Sequence, residues 1–535
     1  MPASSFGRDF AARVRRSCRR RATIGAVLAA LTCAPAAAQS PADCAALARF
    51  TLPGVVLEIT KAERVPAGPM PAPPGVEPSG TLPAHCRVEG ALERRTGVGG
   101  KPYAINFALA LPDNWTGRFL FQGGGGLNGS VRPPVGNQAA GDTPAITRGF
   151  AVVTTDTGHQ GAVFDGSFFE DQQAALNFLY AANGKVAPVA KAVIAQYYTR
   201  PAEHSYFVGC STGGREGMIM SQRYPTYFDG IVVGAPAMRT GFSNLGMRSI
   251  AVALNAAAQR DASGNVIAGS ALSDSDKQLV VDSVVAACDA DDGIGDGMIF
   301  APQSCDFSPS SLVCGGEKNE SCLTREQAAA IEKALAGPKD SSGLQVYPGY
   351  LWDTGIAASG EGVIPGILNG AAGPVGPRTP LSEQDVDAEA AIAASEPSAL
   401  GDTNHWTNLS TFRGNGGKLL FYHGVSDPWF SSLDTIQYYE RLGAANGGAA
   451  TTLDWSRLFL VPGMGHCGGG EAALDRFDLL SAIVDWVEQD AAPATVIATG
   501  AAFPERSRPL CPYPTHAHYN GRGDSQDAAS FTCRE

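Results

Sequence analysis

One stretch, residues 205–218, constrains the fold of this 535-residue chain more than any other. It reads Ser-Tyr-Phe-Val-Gly-Cys-Ser-Thr-Gly-Gly-Arg-Glu-Gly-Met, with Ser211 inside a G-x-S-x-G pattern. This pattern is typical of a nucleophile elbow, a strained turn between a strand and a helix that presents a serine hydroxyl at the carboxyl end of a parallel sheet. Glycine is needed on both sides because the strand and helix backbones approach closely there. An ordinary turn between a strand and a helix is the alternative, because the chain contains 64 Gly.

Strands and helices alternate on both sides of this stretch. The pattern predicts strands at 103–111, 118–121, 150–154, 206–209, 231–233, 418–422 and 457–461, and helices at 172–199, 215–224, 433–442 and 474–487. Such alternation predicts an α/β fold with a doubly wound, mostly parallel sheet. It stops between 238 and 417, where Ala-rich helical segments and Gly- and Pro-rich loops predict a large inserted lid domain. The α/β domain is therefore predicted in two parts, 39–237 and 418–535.

The first 38 residues have the pattern of a secretory signal peptide. Six Arg between positions 13 and 21 precede an apolar run at 24–31, and three Ala at 36–38 provide a cleavage site. The leader carries seven Arg and one acidic residue, so its removal changes the formal net charge from −12 to −18. Such an acidic chain is a poor partner for nucleic acid or for an anionic membrane surface. We expect a secreted or periplasmic protein without a membrane span.

Ten of the twelve Cys remain after the leader, an even number that favours disulfides in an exported protein. Proximity in sequence suggests the pairs Cys44–Cys86, Cys288–Cys305, Cys314–Cys322 and Cys511–Cys533. Cys210 and Cys467 are then left to pair with each other. Spacing alone does not determine which cysteines are bonded, so other pairings of these ten Cys stay open.

A serine nucleophile needs a base that takes its proton and an acid that orients the base. Asp427 and His466 each lie in a loop just after a predicted strand, 418–422 and 457–461. The chain order Ser211, Asp427, His466 is that of α/β-hydrolases. His423 competes as the base, but it lies at the end of the strand and before the acid. We therefore predict Ser211, Asp427 and His466 as the catalytic residues of an α/β-hydrolase.

A run of glycines at 123–126 follows the predicted strand 118–121. One interpretation is an oxyanion loop, whose backbone N–H groups approach the reacting carbonyl without obstruction by side chains. The other is a flexible loop. A phosphate-binding loop is excluded because no Gly-Lys-Ser/Thr follows.

A second polar cluster lies at 288–298 in the predicted lid and reads Cys-Asp-Ala-Asp-Asp-Gly-Ile-Gly-Asp-Gly-Met. Closely spaced carboxylates separated by Gly let a tight loop direct several hard oxygens at one centre, as Ca²⁺ requires. The spacing differs from an EF-hand because no Glu stands at the twelfth position. A solvent-exposed acidic turn is the alternative.

Three of these stretches together resemble the tannase and feruloyl esterase family. They read Gly-Cys-Ser-Thr-Gly-Gly-Arg-Glu-Gly at 209–217, Tyr-His-Gly-Val-Ser-Asp at 422–427 and Pro-Gly-Met-Gly-His-Cys at 462–467. The resemblance covers nearly the whole chain after the leader. It is strongest to bacterial members that hydrolyse terephthalate monoesters, at 209–235, 427–444, 458–466 and 508–514.

The resemblance implies Ser211, Asp427 and His466 as the triad and a disulfide between Cys210 and Cys467. It also implies an oxyanion hole formed by the backbone N–H groups of Gly126 and Thr212. A structural Ca²⁺ in the lid would be held by the side chains of Asp289, Asp292 and Asp296 and by the carbonyls of Ile294 and Met298. The implied activity is hydrolysis of small aromatic esters through an acyl-enzyme.

The sequence departs from the terephthalate-cleaving members in the lid. Those members grip the substrate with lid aromatics and an Arg, whereas 360–399 here contains no aromatic residue and offers only Arg378 as a candidate. The sequence therefore predicts ester hydrolysis through an acyl-enzyme. It does not predict whether the substrate is a feruloyl ester, a galloyl ester or a terephthalate monoester. Two rival functions are a serine peptidase on the same fold and a non-catalytic, calcium-stabilised binding protein.

Overall fold

The computed structural model describes residues 43–71, 80–360, 364–371, 373 and 380–535. The predicted signal peptide at 1–38 and Arg378 lie outside the described residues. No helix within these ranges combines the length and the apolarity that crossing a bilayer requires.

Nine strands form one sheet. They are β1 (Leu57–Val65), β2 (His85–Thr96), β3 (Pro102–Pro112), β4 (Arg118–Gln122), β5 (Ala151–Thr155), β6 (His204–Cys210), β7 (Gly230–Gly234), β8 (Lys418–Gly424) and β9 (Ser456–Val461). Their order across the sheet is β1-β2-β3-β5-β4-β6-β7-β8-β9. β2 pairs antiparallel with β1 and with β3, and β3 also pairs antiparallel with β5. All pairs from β5 to β9 are parallel, which confirms the predicted mostly parallel sheet.

Helices cover both faces of the sheet because its parallel strands are apolar on both sides. On β6, Phe207 packs into one hydrophobic cluster and its neighbours Tyr206 and Val208 pack into the other. The helices α1 (Ala182–Tyr198), α2 (Thr212–Arg223) and α7 (Ser432–Ala445) contribute to the cluster of Phe207, and α8 (Leu479–Gln489) contributes to the opposite one. The doubly wound arrangement is therefore confirmed.

The long helix predicted at 172–199 is divided into three pieces. A short helix (Gln172–Leu176) and a π-helical turn (Asn177–Ala181) precede α1. The Ala-rich periodicity predicts one helix, since it does not reveal the local change in hydrogen bonding that the π-helical turn introduces.

Between β7 and β8 the chain forms helices that pack mainly on one another. These are α3 (Thr240–Asn255), α4 (Asp274–Cys288), α5 (Arg325–Ala336), α6 (Val386–Ala393), and the short helices Glu396–Gly401 and Ser410–Gly414. The first three share one hydrophobic cluster, centred on buried residues such as Val284, Ile331 and Tyr347. Because their apolar faces are buried against each other, this part of the chain lacks the alternation of strand and helix.

After α7 a short helix, Ala449–Thr452, leads into β9, and two small antiparallel pairs follow α8. These are β10 (Val496–Gly500) with β11 (Phe503–Leu510), and β12 (His516–Tyr519) with β13 (Phe531–Arg534). A further two-residue pair joins Gly68–Pro69 to Thr81–Leu82. The five disulfides are the predicted ones: Cys44–Cys86, Cys210–Cys467, Cys288–Cys305, Cys314–Cys322 and Cys511–Cys533.

Candidate active site

The turn between β6 and α2 carries Ser211 in a strained backbone conformation. Its φ is 64° and its ψ is −125°, values that an L-residue adopts only when the surroundings enforce them. The surroundings are tight: a Cβ atom on Gly209 would stand 2.5 Å from the carbonyl oxygen of Gly213. A Cβ on Gly213 would stand 2.7 Å from the carbonyl oxygen of Gly124 in the loop after β4. The geometry is that of a nucleophile elbow, and the glycines of the motif are required by close approach.

Asp427 and His466 meet at the carboxyl ends of β8 and β9, which are neighbours in the sheet. His466 Nδ1 lies 2.7 Å from Asp427 Oδ2. The other carboxylate oxygen, Oδ1, accepts hydrogen bonds from the backbone N–H groups of Trp429 (2.8 Å) and Phe430 (3.1 Å). Burial by itself raises the pKa of Asp427, but the two neighbouring imidazoles outweigh it and hold the pKa well below its usual range. The acid is therefore ionised and oriented toward the His466 ring.

His423, the competing base, occupies a different position. Its ring is fully buried, with Nδ1 2.9 Å from the hydroxyl of Thr435 and Nε2 2.9 Å from the carbonyl oxygen of Phe430. Nε2 also lies 3.4 Å from Asp427 Oδ2. Both ring nitrogens thus have partners in the protein interior, so His423 serves to orient Asp427 and the Phe430 segment.

The disulfide between Cys210 and Cys467 links the two loops directly. Cys210 precedes Ser211, Cys467 follows His466, and their Cα atoms are 6.0 Å apart. Cys467 Sγ lies 3.6 Å from His466 Nε2, the ring nitrogen that faces away from Asp427. The serine and histidine loops, separated by more than 200 residues in the chain, are therefore held side by side by a covalent bond.

The glycine loop after β4 lies against the start of α2. The Thr212 hydroxyl donates a hydrogen bond to the carbonyl oxygen of Gly126, whose φ is 59°. A Cβ on Gly126 would also stand 2.7 Å from the carbonyl oxygen of Val163, so the position requires glycine. Gly126 and Thr212 line the same pocket as Ser211. The arrangement brings together the two predicted oxyanion donors and the predicted nucleophile.

Glu216, which the sequence reasoning missed, anchors this loop from α2. The residue is 1 % exposed, and its carboxylate accepts hydrogen bonds from the backbone N–H of Gly124 (3.0 Å) and from the side-chain amide of Asn128 (2.6 Å). A buried carboxylate on the face of α2 beside the elbow has no signature in the sequence, because its partners Gly124 and Asn128 lie 92 and 88 residues earlier.

Asp353 is a second residue that the sequence reasoning missed. It is fully buried, and Oδ2 accepts hydrogen bonds from the Ser426 hydroxyl (2.6 Å) and from the backbone N–H of Gly463 (2.7 Å). These partners lie in the loops that carry Asp427 and His466, so this one carboxylate from the inserted segment connects both loops. Burial raises the pKa of Asp353 to about 6.

The pocket in front of Ser211 is small and mostly apolar. Its described lining includes Phe164, Trp429, Phe430 and Met247, and no charged side chain. The rings of Phe164 and Trp429 meet edge to face at 5.7 Å, and the rings of Trp429 and Phe430 lie 5.0 Å and 5.2 Å from His466. The aromatic walls thus come from the loops after β5 and β8. They do not come from 360–399, where the sequence shows no aromatic residue.

The acidic loop at 288–298 buries its three predicted carboxylate ligands. Asp289 Oδ2 accepts the backbone N–H of Gly297 at 2.8 Å, while its buried Oδ1 has no hydrogen-bond partner. Burial raises the pKa of Asp292 to about 7, and Asp296 pairs with Arg508. Among the described residues, no set of three or more His, Cys, Asp or Glu side chains is arranged to hold a metal ion in this conformation. The orphaned Asp289 oxygen and the buried charge are nevertheless suited to a hard cation.

Comparison with known proteins gives consistent matches along the chain. The family model for tannase and feruloyl esterase matches residues 86–384 and 378–534. Mono(2-hydroxyethyl) terephthalate hydrolase from Piscinibacter sakaiensis is 37 % identical over 527 residues, covering 86 % of this chain and 87 % of that protein. Feruloyl esterase B from Aspergillus niger is 33 % identical over 448 residues, covering 79 % and 82 %. The crystal structure of feruloyl esterase B from Aspergillus oryzae superimposes with a TM-score of 0.75 at 26 % identity, covering 92 % and 99 %.

Proposed function

We propose a serine mechanism for this chain, which belongs to the tannase and feruloyl esterase family and is a carboxylic ester hydrolase. Ser211 is the nucleophile, His466 the base and Asp427 the residue that orients it. The observation that carries the proposal is the contact of His466 Nδ1 with Asp427 Oδ2, held beside the strained Ser211 turn by the Cys210–Cys467 bond.

The reaction proceeds in two halves. His466 Nε2 takes the proton of Ser211 as the hydroxyl oxygen attacks the ester carbonyl, and ionised Asp427 stabilises the imidazolium that forms. The backbone N–H groups of Gly126 and Thr212 stabilise the oxyanion, a contribution of about 3–4 kcal/mol for each donor in comparable sites. His466 then protonates the leaving alcohol, and water attacks the acyl-enzyme by the same route.

Uncharged aromatic esters suit the pocket better than a terephthalate monoester does. Phe164, Trp429 and Phe430 provide ring faces and edges for an aromatic group. A terephthalate monoester carries a free carboxylate, which is costly to bury without a cation, and the described lining contains none. We therefore propose that feruloyl- and galloyl-type esters are hydrolysed in preference to terephthalate monoesters.

The test is the Ser211→Ala variant assayed with a p-nitrophenyl ester and with methyl ferulate, methyl gallate and a terephthalate monoester. We expect turnover of every substrate to fall to background, and labelling by a fluorophosphonate to be lost. Ser221→Ala is the matched control, since Ser221 lies on the same helix but donates its hydroxyl to the carbonyl oxygen of Met218. Substantial residual hydrolysis by Ser211→Ala would refute the serine mechanism.

We also propose that the protein is exported and that the leader at 1–38 is removed. Five disulfides support this, because such bonds persist in oxidising compartments. N-terminal sequencing of the protein recovered from the periplasm or medium tests the cleavage site after Ala38. An uncleaved chain retained in the cytosol would contradict it.

A structural Ca²⁺ in the loop at 288–298 completes the proposal. Asp289, Asp292 and Asp296 would supply carboxylate oxygens, and Ile294 and Met298 carbonyl oxygens. The support is the buried, unpartnered Oδ1 of Asp289 together with the burial of all three carboxylates. Metal analysis of the purified protein should give about one Ca²⁺ per chain, and EDTA should lower the melting temperature. Absence of both effects would refute the site.

A further inference from the structure

Asp156 is a buried carboxylate that the proposed mechanism does not use. It directly follows β5, and only 1 % of its surface is exposed. Oδ1 accepts hydrogen bonds from the backbone N–H groups of Gly158 (2.9 Å) and Asn106 (3.0 Å). Oδ2 accepts hydrogen bonds from the side-chain amides of Asn106 (2.6 Å) and Gln160 (2.7 Å). All of these partners are neutral N–H donors, so the ionised carboxylate is the form that satisfies them.

The negative charge of Asp156 is not a source of stability. Burial raises the pKa of Asp156 to about 6 although the hydrogen bonds oppose it. The folded protein therefore holds the ionised form less readily than the unfolded chain does, and at neutral pH the charge costs stability. Its effect lies instead in the backbone conformation that it holds.

The carboxylate of Asp156 closes a strained turn. Thr157 has a φ of 63°, a value that a β-branched residue adopts only when its surroundings enforce it. The Thr157 hydroxyl donates to the carbonyl oxygen of Asp156 at 2.6 Å, and the N–H of Gly158 donates to Asp156 Oδ1. Without the carboxylate, the N–H of Gly158 loses this acceptor and the strained turn is free to relax.

This turn begins the loop 156–164, which is joined by backbone hydrogen bonds to the glycine loop at 123–129. The N–H of Gly129 donates to the carbonyl oxygen of Asp156 at 3.1 Å. The carbonyl oxygen of Gly129 accepts a hydrogen bond from the N–H of Gly161, also at 3.1 Å. The two loops therefore lie side by side, and the turn at Asp156 is one of the points that connect them.

The far end of the loop 156–164 contacts the peptide beside the proposed oxyanion donor. The carbonyl oxygen of Val163 accepts the N–H of Leu127 at 2.8 Å, and Leu127 directly follows Gly126. A Cβ on Gly126 would stand 2.7 Å from the same carbonyl oxygen, so the two backbones are in close contact. Val163 and Phe164 are 53 % and 37 % exposed, so burial does not fix this end of the loop. Its position depends on the hydrogen bonds that begin at the Asp156 turn.

We propose that Asp156 is a positioning residue for the oxyanion hole, and that it acts through the loop 156–164 on the backbone N–H of Gly126. The inference rests on the proposed function, since it takes Gly126 and Thr212 as the donors to the oxyanion. Because Asp156 acts through the backbone, its loss should weaken stabilisation of the tetrahedral intermediate and leave binding of the ground-state ester nearly unchanged.

The first test compares wild type with Asp156→Ala and Asp156→Asn at pH 8, with p-nitrophenyl benzoate as the substrate. We expect Asp156→Ala to lower kcat about 10- to 100-fold while KM changes less than threefold, because the oxyanion donor is misplaced but present. Asp156→Asn keeps one oxygen for the N–H groups of Gly158 and Asn106. The amides of Asn106 and Gln160 can turn to meet its NH₂ group. We expect this variant to retain kcat within about fivefold of wild type.

Asp276→Ala is the matched control for loss of stability. Asp276 is 3 % exposed and lies in the inserted segment, where its carboxylate accepts hydrogen bonds from the backbone N–H of Ser273 (3.0 Å) and the side-chain amide of Gln327 (3.0 Å). Like Asp156→Ala, this variant leaves buried donors without an acceptor, so its melting temperature should fall. Its kcat should remain that of wild type. An equal loss of kcat in the two variants would overturn the positioning role.

The second test measures the oxyanion hole directly with phenylboronic acid, which forms a tetrahedral, anionic adduct with a reactive serine. We expect its Ki to rise at least tenfold in Asp156→Ala and to stay unchanged in Asp276→Ala. Ground-state binding is measured by titrating Ser211→Ala with methyl benzoate, with and without Asp156→Ala, and should change less than threefold. If Asp156→Ala does not fold, Asp156→Ser replaces it with the same expectations, since its hydroxyl keeps one acceptor in the turn.

The two proposals fail in different ways. Wild-type kcat and Ki in Asp156→Ala, or an effect on KM alone, would overturn the positioning role while the serine mechanism stands. Failure of the serine mechanism would show in the parent protein, which phenylboronic acid would not inhibit, and in continued hydrolysis by Ser211→Ala. That result would overturn both proposals.

Discussion

Cys210 is bonded to Cys467, so the residue before the proposed nucleophile is covalently joined to the residue after the proposed base. The two cysteines are 257 residues apart in sequence, and the intervening chain includes the whole inserted segment. In most proteins such a bond acts mainly on the unfolded state, where it restricts the chain. Here it also limits how far the loops of Ser211 and His466 can separate in the folded state.

Replacing both cysteines, Cys210→Ala with Cys467→Ala, should therefore affect activity and stability together. We expect a loss of about 2–5 kcal/mol in the free energy of unfolding. We also expect kcat to fall about 100-fold, the effect of a displacement of about 1 Å in a catalytic pair. Denaturant titration and ester hydrolysis measure the two effects. The control is Cys314→Ala with Cys322→Ala, a bond in the inserted segment that should alter stability and not kcat. Full activity and stability without the Cys210–Cys467 bond would contradict its role in holding the loops of Ser211 and His466 together.

The two histidines near Asp427 should differ in their mutational effects. His466→Ala removes the base and should lower kcat by a factor of about 1,000 or more. His423→Phe removes the hydrogen bonds to Thr435 and to the carbonyl of Phe430, so it should lower kcat about tenfold with little change in KM. Steady-state kinetics on one p-nitrophenyl ester compares them. If His423→Phe proved as damaging as His466→Ala, the assignment of the base would be wrong.

Glu216 should matter through the loop that it holds. Glu216→Ala leaves the N–H of Gly124 and the amide of Asn128 without their acceptor, so the oxyanion loop loses its anchor. We expect kcat to fall about 10- to 100-fold, less than the roughly 100- to 1,000-fold loss found when one oxyanion donor is removed outright. Glu440→Ala, at a carboxylate that accepts a hydrogen bond from the Tyr513 hydroxyl near the surface, is a suitable control. Wild-type kcat in Glu216→Ala would show that the loop is held by other contacts.

Asp353 should make the folded state more stable at acidic pH. Its pKa is raised by burial from 3.8 to about 6, so the folded state binds a proton more tightly than the unfolded state does. The resulting stabilisation is complete below pH 3.8 and is lost as the pH rises through 6, an effect of about 3 kcal/mol. Asp353→Asn cannot titrate, so its stability relative to wild type should increase between pH 4 and 6 in urea titrations.

Asp261, whose pKa is lowered in the folded state, provides a comparison for the direction of this pH dependence. Hydrogen bonds from Asn265 lower the pKa of Asp261, so its contribution is lost as the pH falls. Asp261→Asn should therefore change the pH profile in the opposite direction. If the free energies of unfolding of Asp353→Asn and wild type changed with pH in parallel, the buried carboxylate would not titrate as stated.

The sequence by itself determined the parts of the site that follow local rules. Ser211 comes directly after an apolar strand, and Asp427 and His466 lie in the loops that follow two others. Parallel strands place their carboxyl ends along one edge. For this reason the chain order and the loop positions of these three residues follow from the amino-acid pattern alone. The near disulfides, such as Cys314–Cys322, are predictable on similar grounds, because short spacing leaves few alternatives.

Only the tertiary structure decided which side chains support those three residues. The supporting role of His423, and the contacts of Glu216 and Asp353, depend on segments that are distant in sequence and meet only when the chain is packed. The positions of the aromatic walls formed by Phe164 and Trp429 were likewise decided only by the tertiary structure. Their positions are set by how the inserted segment and the loops after β5 and β8 pack over the sheet. Packing of this kind leaves no periodicity or motif along the chain, so it is visible only in the folded molecule.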